Sequence, residues 1–323
     1  MSFRVYTAAN QVPAGFGPSA LTIGNFDGVH AGHARILGEV VDAARAGGFT
    51  PSALTFDPHP TTVVAPERAP QLLTTVGQRV RLFEQAGIEA VLVLPFTPEV
   101  AALTPAEFVG GILVERLAAR VVVVGDNFRF GRGQSGAVAD LESCGQRLGF
   151  EVRIVQPVVW RGEAVSSSSI RKLVAAGDVA RAARLLGRVF CLEGGVAAGH
   201  GVGARRTVPT LNLAPQSGLL PARGVYITCT QDLGSHRRWP SVTNVGFRPT
   251  FGGTELTIET HLLEPLEGAD PVRIEVAFWG RIRDEIRFPT PEALRGQILR
   301  DVATAQRFFR RLRAAQTTKE ILT

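Results

Sequence analysis

The stretch Leu21–His33, read as Leu-Thr-Ile-Gly-Asn-Phe-Asp-Gly-Val-His-Ala-Gly-His, places the strongest constraint on what this chain can fold into. Three apolar or β-branched residues lead into Gly24, and from Gly32 onward the apolar residues recur with helical spacing. The stretch therefore predicts a strand, a tight glycine turn and a helix. Backbone N–H groups and the positive end of a helix dipole at such a turn favour a phosphate group.

Two histidines three residues apart, His30 and His33, lie where this helix begins. A glycine turn alone is also consistent with a plain bend between a strand and a helix, since glycine often serves only to make the turn. Imidazoles at the helix start can donate hydrogen bonds to phosphate oxygens, and protonation would add positive charge. The histidines therefore favour a phosphate site over a plain bend.

The rest of the first half alternates between apolar strand-like segments and helical ones. The strand-like segments are 52–56, 90–95, 120–124 and 152–155, and the helical segments are 78–86, 105–118 and 137–148. This alternation predicts a Rossmann-like parallel sheet covered by helices, with ligands bound beyond the carboxyl ends of the strands. Polar loops at 25–33, 57–60 and 125–131 follow those ends, so we expect them at one edge of the sheet.

A run of four serines, Ser166–Ser169, is followed by Arg171 at the start of another helical segment. One serine is enough to cap a helix, so the run is either an overprovided N-cap or a second anion site. The arginine favours the anion site. A second short helix is predicted over 179–186.

Beyond residue 187 the pattern changes to short alternating segments separated by glycine, proline and polar turns. These segments lie at 224–230, 241–246, 256–263 and 272–279 and predict a small antiparallel barrel or sandwich. Thr290-Pro-Glu then starts a long helix, whose apolar stripe we expect to pack against the barrel. The stripe consists of Leu294, Ile298, Val302, Ala305, Phe309 and Leu312. The sequence predicts two domains, 1–186 and 187–323.

The net charge of +6 is spread in a way that argues against a nucleic-acid partner. Residues 1–186 hold 17 basic and 16 acidic side chains, and residues 187–323 hold 18 and 13. The basic residues are scattered and lack interleaved aromatic residues, which a strand-binding surface would need. Polyphosphate small molecules are the expected ligands.

The chain also lacks the features of membrane, secreted and zinc proteins. It has no apolar run of about 18 residues and no apolar core near its N-terminus, so we expect a cytoplasmic protein without a membrane partner. Its three cysteines, Cys144, Cys191 and Cys229, are far apart and odd in number. That spacing predicts neither a disulfide framework nor a zinc site.

Eight ordered motifs across the whole chain resemble those of the bifunctional bacterial riboflavin kinase and FMN adenylyltransferase family, also called prokaryotic FAD synthetases. The nucleotidyltransferase motifs are at 24–33, 55–60, 124–131 and 165–171, and the kinase motifs are at 208–213, 244–251, 258–261 and 282–285. The resemblance implies an N-terminal Rossmann-like domain and a C-terminal kinase barrel. It also implies two ATP- and Mg²⁺-dependent steps, riboflavin to FMN and FMN to FAD.

For adenylyl transfer the resemblance implies catalytic roles for His30, His33 and Arg171. It assigns nucleotide binding to Gly24, Asn25, Phe26, Asp27, Ser166 and Ser167. The loops after the middle strands are expected to hold FMN through His59, Asn127 and Arg129. Phe128 and Phe130 in the same loop fit either flavin contact or packing in the core.

For the kinase the resemblance implies Glu259 as the general base and Thr210 and Asn212 as oxygen ligands of Mg²⁺. It adds five cofactor-binding residues, Gly201, Gly203, Arg205, Arg283 and Glu285. Without the motif, Glu259 would be interpreted as a solvated residue on a strand face. The family usually has Gly-Phe and Ala where this chain has Thr207-Val208 and Leu211, and Ala204 replaces an arginine after Gly203.

These departures in the kinase half leave three functions open. The first is full FAD synthesis from riboflavin by both activities. The second is FMN adenylyltransferase activity alone, with a degenerate barrel, and the third is a flavin-binding module without catalysis. The sequence leaves the oligomeric state open.

Overall fold

A computed structural model describes residues 3–197, 209–216, 218–250 and 253–322. Side chains are described except at 247–250, 253–256 and 316–322. The chain forms two compact units, Met1–Ser167 and Ser168–Thr323. The predicted domain boundary lies further along the chain, after residue 186, so the predicted first domain extends into the second unit.

The first unit is built on a sheet of six parallel strands, as the alternation of segments predicted. The spatial order of the strands is β1-β4-β3-β2-β5-β6. Their bounds are β1 Arg4–Tyr6, β2 Ser19–Ile23, β3 Thr50–Asp57, β4 Ala90–Pro95, β5 Ala119–Gly125 and β6 Glu151–Val155. All five residues of β2 are buried because the sheet is covered on both faces.

Helices connect these strands and cover the sheet. Their bounds are α1 Ala31–Gly47, α2 Pro60–Val64, α3 Val76–Gln85, α4 Pro98–Ala102, α5 Pro105–Glu107 and α6 Val138–Leu148. The helix predicted over 105–118 differs from the structure, because α5 continues as a wider π-helix over Phe108–Val114. Gly110 and Gly111 lie in this segment, and glycine has a low preference for regular α-helix.

A small hairpin and two helices follow β6 along the chain. The hairpin strands, β7 Val159–Trp160 and β8 Glu163–Ala164, were not predicted. The helices are α7 Ser167–Ala175 and α8 Val179–Leu186, and the bounds of α8 match the prediction. Only Ser167 of α7 belongs to the first unit.

The second unit contains a closed barrel of six antiparallel strands, which decides between the predicted barrel and sandwich. The order around the barrel is β10-β13-β12-β11-β14-β9. The bounds are β9 Phe190–Ala197, β10 Thr210–Pro215, β11 Gly224–Asp232, β12 Arg238–Thr250, β13 Gly253–Leu262 and β14 Arg273–Arg283. Helix α8 packs against β9 and β14.

Hydroxyl groups form a continuous hydrogen-bonded chain inside the barrel. Thr228 Oγ1 lies 2.8 Å from Ser241 Oγ and 2.7 Å from Thr243 Oγ1. Ser241 continues to Thr230 at 2.8 Å, and Thr243 continues to Thr260 at 2.9 Å. All five residues are fully buried, so these bonds avoid the cost of burying unpaired hydroxyls.

The long C-terminal helix, α9, spans Pro291–Leu322 and begins as predicted. Thr290 Oγ1 accepts a hydrogen bond from the Ala293 N–H at 3.2 Å, which is an N-cap. Ala305 and Phe309 are buried in a cluster with residues of β11 and β12. The predicted stripe is wrong for the first turns, because Leu294 and Ile298 are 43% and 41% exposed. Helical spacing identifies residues on one face but not whether a neighbour covers that face.

We expect Leu54→Ala to lower the free energy of unfolding of the first unit by roughly 2–5 kcal/mol, because it leaves a cavity in a packed core. Leu54 is fully buried in β3 and belongs to a cluster that includes Leu21 and Leu92. Hydrogen exchange of peptides from β2, β3 and β4 measures the change. The matched control is Ile154→Ala, whose side chain is 41% exposed on β6. Equal losses of protection in both variants would contradict the packing described.

Candidate active sites

The turn after β2 has an unusual backbone that the surrounding side chains hold in place. Phe26 and Val29 have φ angles of 49° and 36°, in the left-handed region that favours glycine. The Phe26 ring is buried and makes edge contacts with Phe83 at 5.2 Å and with His33 at 5.1 Å between ring centroids. Glycine at position 24 leaves room for the Phe26 ring, since a β-carbon there would lie 3.2 Å from it.

The Asp27 carboxylate supports this turn from within the protein. The side chain is 3% exposed, and Oδ1 accepts hydrogen bonds from the backbone N–H groups of Leu73 at 2.9 Å and Thr74 at 3.1 Å. The Gly28 N–H donates to Thr74 Oγ1 at 2.9 Å. Backbone donors of the protein occupy the carboxylate, and the nucleotide contact that the resemblance implies for Asp27 stays a prediction.

His30 and His33 form one stacked pair at the start of α1. Their ring centroids are 3.6 Å apart with an interplanar angle of 16°. His30 is the N-cap residue, and its Nδ1 accepts a hydrogen bond from the His33 N–H at 3.4 Å. A β-carbon at Gly32 would lie 3.1 Å from the His30 ring, so glycine gives the ring room. Both predicted histidines therefore lie at the positive end of the α1 dipole.

The carboxyl ends of β2 and β3 bring two predicted residues together. Asn25 Nδ2 lies 3.2 Å from His59 Nε2, although 34 positions separate the residues in the chain. His59 is also the N-cap of α2, where its Nδ1 accepts from the Thr61 N–H at 3.3 Å. The expectation that polar loops meet at one edge of the sheet is confirmed for this pair.

The loop after β5 separates its polar residues from its aromatic ones. Asn127 and Arg129 are exposed. Phe130 is buried in the core of the first unit, and Phe128 stacks on it with ring centroids 5.5 Å apart. Of the two interpretations of these phenylalanines, packing in the core is the one the structure bears out.

The serine run joins the turn after β2 through a direct contact. Ser167 Oγ donates a hydrogen bond to the Asp27 carbonyl oxygen at 2.8 Å, across 140 positions of sequence. Ser166 and Ser167 are both half-buried. Arg171 follows Ser167 by four residues on α7, so both residues lie on the same face of that helix.

In the barrel, three polar side chains lie in one row across neighbouring strands. Asn212 on β10 and Asn244 on β12 each pair in register with Glu259 on β13. Ile258 and Thr260 are buried inside the barrel, whereas Glu259 is half-buried on the outer face. The predicted orientation of Glu259, opposite to its two neighbours, is confirmed.

Beside this row, Thr210 Oγ1 lies 3.3 Å from His261 Nδ1. The two residues are a register pair on β10 and β13, so they share the outer face with Glu259. Burial lowers the pKa of His261 from its ordinary value. The hydroxyl of Thr210 and the carboxamide oxygen of Asn212 are hard oxygen donors of the type that Mg²⁺ prefers.

Two residues expected near the cofactor lie at the end of β14. The Glu285 carboxylate lies against Gly246, where a β-carbon would collide with it. Arg283 forms a two-pronged ion pair with Asp301 of α9, with Nη2 to Oδ2 at 2.9 Å and Nε to Oδ2 at 3.1 Å. The cofactor contact that the resemblance implies for Arg283 stays a prediction. Gly201, Gly203 and Arg205 lie outside the described residues.

Comparisons with known proteins cover both halves of the chain. A family model described as FAD synthetase matches residues 14–169, and one described as riboflavin kinase matches residues 186–309. A bifunctional riboflavin kinase/FMN adenylyltransferase from Escherichia coli K12 is 35% identical over 90% of this chain and 92% of its own length. The protein of the same name from Pseudomonas fluorescens is 37% identical over 88% of this chain and 91% of its own length.

The chain belongs to the bifunctional riboflavin kinase/FMN adenylyltransferase family.

The fold of this family member is also seen in a crystal structure described as that of a macrolide-efflux protein from Streptococcus pneumoniae. The two structures superpose with a TM-score of 0.81 at 25% identity, covering 94% of this chain and 98% of the other. Within the part of this chain that the structure describes, no helix is both long and apolar enough to cross a membrane.

No group of three or more His, Cys, Asp or Glu side chains that could hold a metal is found among the described residues. The three cysteines are free thiols. The Thr210 and Asn212 pair is of a different kind, because its donors are a hydroxyl and a carboxamide. Such a pair suits a metal that arrives with nucleotide phosphates as its other ligands.

The segment that supports the turn of this transferase was not predicted from the sequence. Arg79 on α3 is 3% exposed, and its Nη1 donates to the Asn25 carbonyl oxygen at 2.8 Å. Burial lowers the pKa of Arg79, while Asp27 and Asp57 act in the opposite direction. The available signal was the Thr75–Gln78 capping box, which marks the start of α3 and points to Arg79 in its first turn.

We expect Asp301→Ala to destabilise the attachment of α9 to the barrel by roughly 3–5 kcal/mol, because it leaves a largely buried arginine without its partner. The Asp301 side chain is 4% exposed and also accepts from Gln297 Nε2 at 2.8 Å. Hydrogen exchange of α9 amides measures the loss. The exposed pair Arg313–Glu264 provides the control, since Glu264→Ala should cost only about 0–1 kcal/mol. Unchanged protection in Asp301→Ala would contradict the anchoring role.

Proposed function

We propose that this chain makes FAD from riboflavin in two ATP-dependent steps at two separate sites, one in each half. The observation that carries the proposal is that each half holds its own cluster of reactive side chains. The stacked histidines lie at the start of α1, and the Glu259 row lies on the outer face of the barrel. The chain is accordingly a transferase with riboflavin kinase and FMN adenylyltransferase activities.

In adenylyl transfer, a phosphate oxygen of FMN attacks the α-phosphorus of ATP while the bond to the bridging oxygen of pyrophosphate breaks. The nucleophile is already ionised, so the step requires alignment and charge stabilisation more than a strong base. His30 and His33 donate hydrogen bonds to the phosphoryl oxygens. Backbone N–H groups around Asn25 and Phe26 bind the triphosphate.

The other contacts of this step come from α7 and from the loops at the sheet edge. We assign Ser166, Ser167 and Arg171 to the phosphates, an assignment that the Ser167 contact with the turn supports. His59 is placed beside Asn25 and is assigned to FMN. Asn127 and Arg129 are exposed on the loop after β5 and are assigned to the same flavin.

In the kinase step the 5′-hydroxyl of riboflavin attacks the γ-phosphorus of ATP, and ADP leaves. Glu259 accepts the hydroxyl proton, a contribution typically on the order of 10²–10⁴-fold. Thr210 and Asn212 would hold Mg²⁺, which neutralises charge on the ATP phosphates. Asn212 and Asn244 pair in register with Glu259 from the two neighbouring strands. The loop of Gly201, Gly203 and Arg205 is assigned to the ATP phosphates by resemblance alone.

We further propose functional domains 1–186 and 187–323, a cytoplasmic location and small-molecule substrates without a nucleic-acid or membrane partner. The scattered basic residues support this choice of substrates. Altered residues in the kinase loop motivate the alternative of an adenylyltransferase with a degenerate barrel. Purified protein supplied with riboflavin, ATP and Mg²⁺ separates these functions. FMN and FAD together support both activities, FAD from supplied FMN alone supports the alternative, and bound flavin without turnover supports a binding module.

We expect His30→Ala and Arg171→Ala each to abolish FAD formation from FMN, because both remove charge stabilisation from the phosphoryl oxygens. Riboflavin phosphorylation by the same proteins should continue, since Glu259 and its neighbours are untouched. Separate assays with riboflavin and with FMN, each resolved by chromatography of the flavins, give the two rates. Loss of both activities in a folded variant would contradict the two-site model.

Glu259→Gln should eliminate FMN production while FMN adenylylation persists. The substitution keeps the size of the side chain and removes only the group that accepts the proton. The matched control is Glu275→Gln, a glutamate on β14 that pairs in register with β9 and β11, away from the Glu259 row. Riboflavin phosphorylation at the normal rate in Glu259→Gln would remove Glu259 from the mechanism.

A further inference from the structure

The peptide between Asn25 and Phe26 is fixed from the interior of the protein. The Asn25 carbonyl oxygen accepts hydrogen bonds from Arg79 Nη1 at 2.8 Å and from Thr55 Oγ1 at 3.2 Å. Arg79 Nη1 also donates to Thr55 Oγ1 at 2.8 Å, so the three groups form a closed triangle. Arg79 and Thr55 are 3% and 0% exposed, which places this triangle out of contact with solvent.

The orientation of this carbonyl determines the orientation of the next N–H. The cis peptide bonds of the described residues are at Gly17-Pro18 and Asp57-Pro58, so the Asn25-Phe26 peptide is trans. In a trans peptide the carbonyl and the following N–H point in opposite directions. The Phe26 N–H therefore points away from the buried guanidinium.

This N–H is an available donor. In the portion of the chain that the structure describes, the Phe26 N–H donates to no acceptor of the protein. A backbone donor in a turn needs a partner such as water or a ligand. The left-handed φ of 49° at Phe26 shows that the turn does not adopt its shape by local preference and requires outside support.

We infer that Arg79 is a positioning residue of the adenylyl-transfer site, which holds the Asn25 carbonyl inward so that the Phe26 N–H faces the phosphates. The inference rests on the proposed location of that site at the turn after β2. Its physical content is preorganisation: a donor fixed before the substrate arrives stabilises developing charge without reorienting. The fixed charge of the buried guanidinium lies beneath the same turn and has the sign that favours a polyphosphate.

The kinetic test compares two substitutions of Arg79 with a matched control. Arg79→Met should lower kcat/KM for FMN adenylylation by about 10²-fold, mostly through kcat, because a displaced donor loses contact in the transition state. Riboflavin phosphorylation by the same protein should be unchanged. Arg79→Lys, which keeps the charge and can still donate to the carbonyl, should recover most of the loss. Arg81→Met removes an exposed arginine from the same helix and should behave like the wild type.

A spectroscopic readout separates positioning from a merely structural role. The sequence contains two Asn-Phe peptides, Asn25-Phe26 and Asn127-Phe128, so ¹³C′-asparagine and ¹⁵N-phenylalanine labelling gives two amide signals. Phe128→Tyr removes one signal and thereby assigns the other. Pyrophosphate should shift the Phe26 signal to saturation in the wild type. In Arg79→Met that signal should be displaced in the free protein and should shift less when pyrophosphate is added.

Two results would overturn the inference: adenylylation within about threefold of wild type in a folded Arg79→Met, or a Phe26 signal that pyrophosphate leaves unmoved in the wild type. If Arg79→Met does not fold, Thr55→Val provides a second test. It removes the second hydrogen bond to the Asn25 carbonyl with little change in shape, and adenylylation at the wild-type rate in this variant would contradict the inference.

His30→Ala separates the proposed role of Arg79 from the proposed function. Normal adenylylation in His30→Ala would contradict the proposed site itself, whereas a defect there with normal Arg79→Met contradicts only the role of Arg79.

Discussion

The adenylyl-transfer half depends on hydrogen bonds between the turn after β2 and the segment from Leu73 to Arg79. Left-handed backbone at Phe26 and Val29 costs about 1–3 kcal/mol per residue. Hydrogen bonds to charged groups contribute about 1.5–3 kcal/mol each. Asp27 accepts such bonds from backbone N–H groups, and Arg79 donates one to Asn25. These interactions are of the size needed to offset the strain, so the shape of the turn is set by residues about 50 positions further along the chain.

The two halves solve different chemical problems with different kinds of secondary structure. The turn combines a helix dipole, two stacked imidazoles and backbone donors, which are groups suited to negatively charged ligands. The barrel presents a carboxylate between two carboxamides on a strand face, an arrangement suited to removing a proton from an alcohol. This difference follows from the nucleophiles, because a phosphate monoester is already ionised and a hydroxyl is not.

The parts of the fold that follow from short-range pattern were predictable from sequence. The alternation of apolar strands and helices gave the parallel sheet, and the carboxyl ends of its strands bring Asn25 to His59. Period-two alternation placed Glu259 opposite to Ile258 and Thr260. What the pattern could not give was the partner of a side chain. Arg283 and Asp301 form an ion pair across 18 positions of sequence, and the local sequence around each residue does not indicate the other as its partner.

The same limit applies to other tertiary contacts that the sequence did not predict. Asp27 lies within a nucleotide-binding motif, but its carboxylate is turned toward Leu73 by tertiary contacts that no local rule encodes. Arg79 looked like an ordinary polar residue on an amphipathic helix, because nothing local distinguishes a buried arginine from a solvated one. The exposure of Leu294 shows the converse case, in which an apolar stripe extends beyond the element that covers it.

In the kinase half, the row of Asn212, Glu259 and Asn244 tolerates an even change in strand length but not an odd one. Side chains alternate between the two faces of a strand. Removing one residue from β13 ahead of Glu259 would therefore turn the inward-facing side chains outward and the outward-facing ones inward. The carboxylate would then enter the hydroxyl-lined interior, and Thr260 would take its place outside. Removing two residues would restore the alternation. Changes in strand length that preserve this site must therefore come in even numbers, while the loops between strands carry no such restriction.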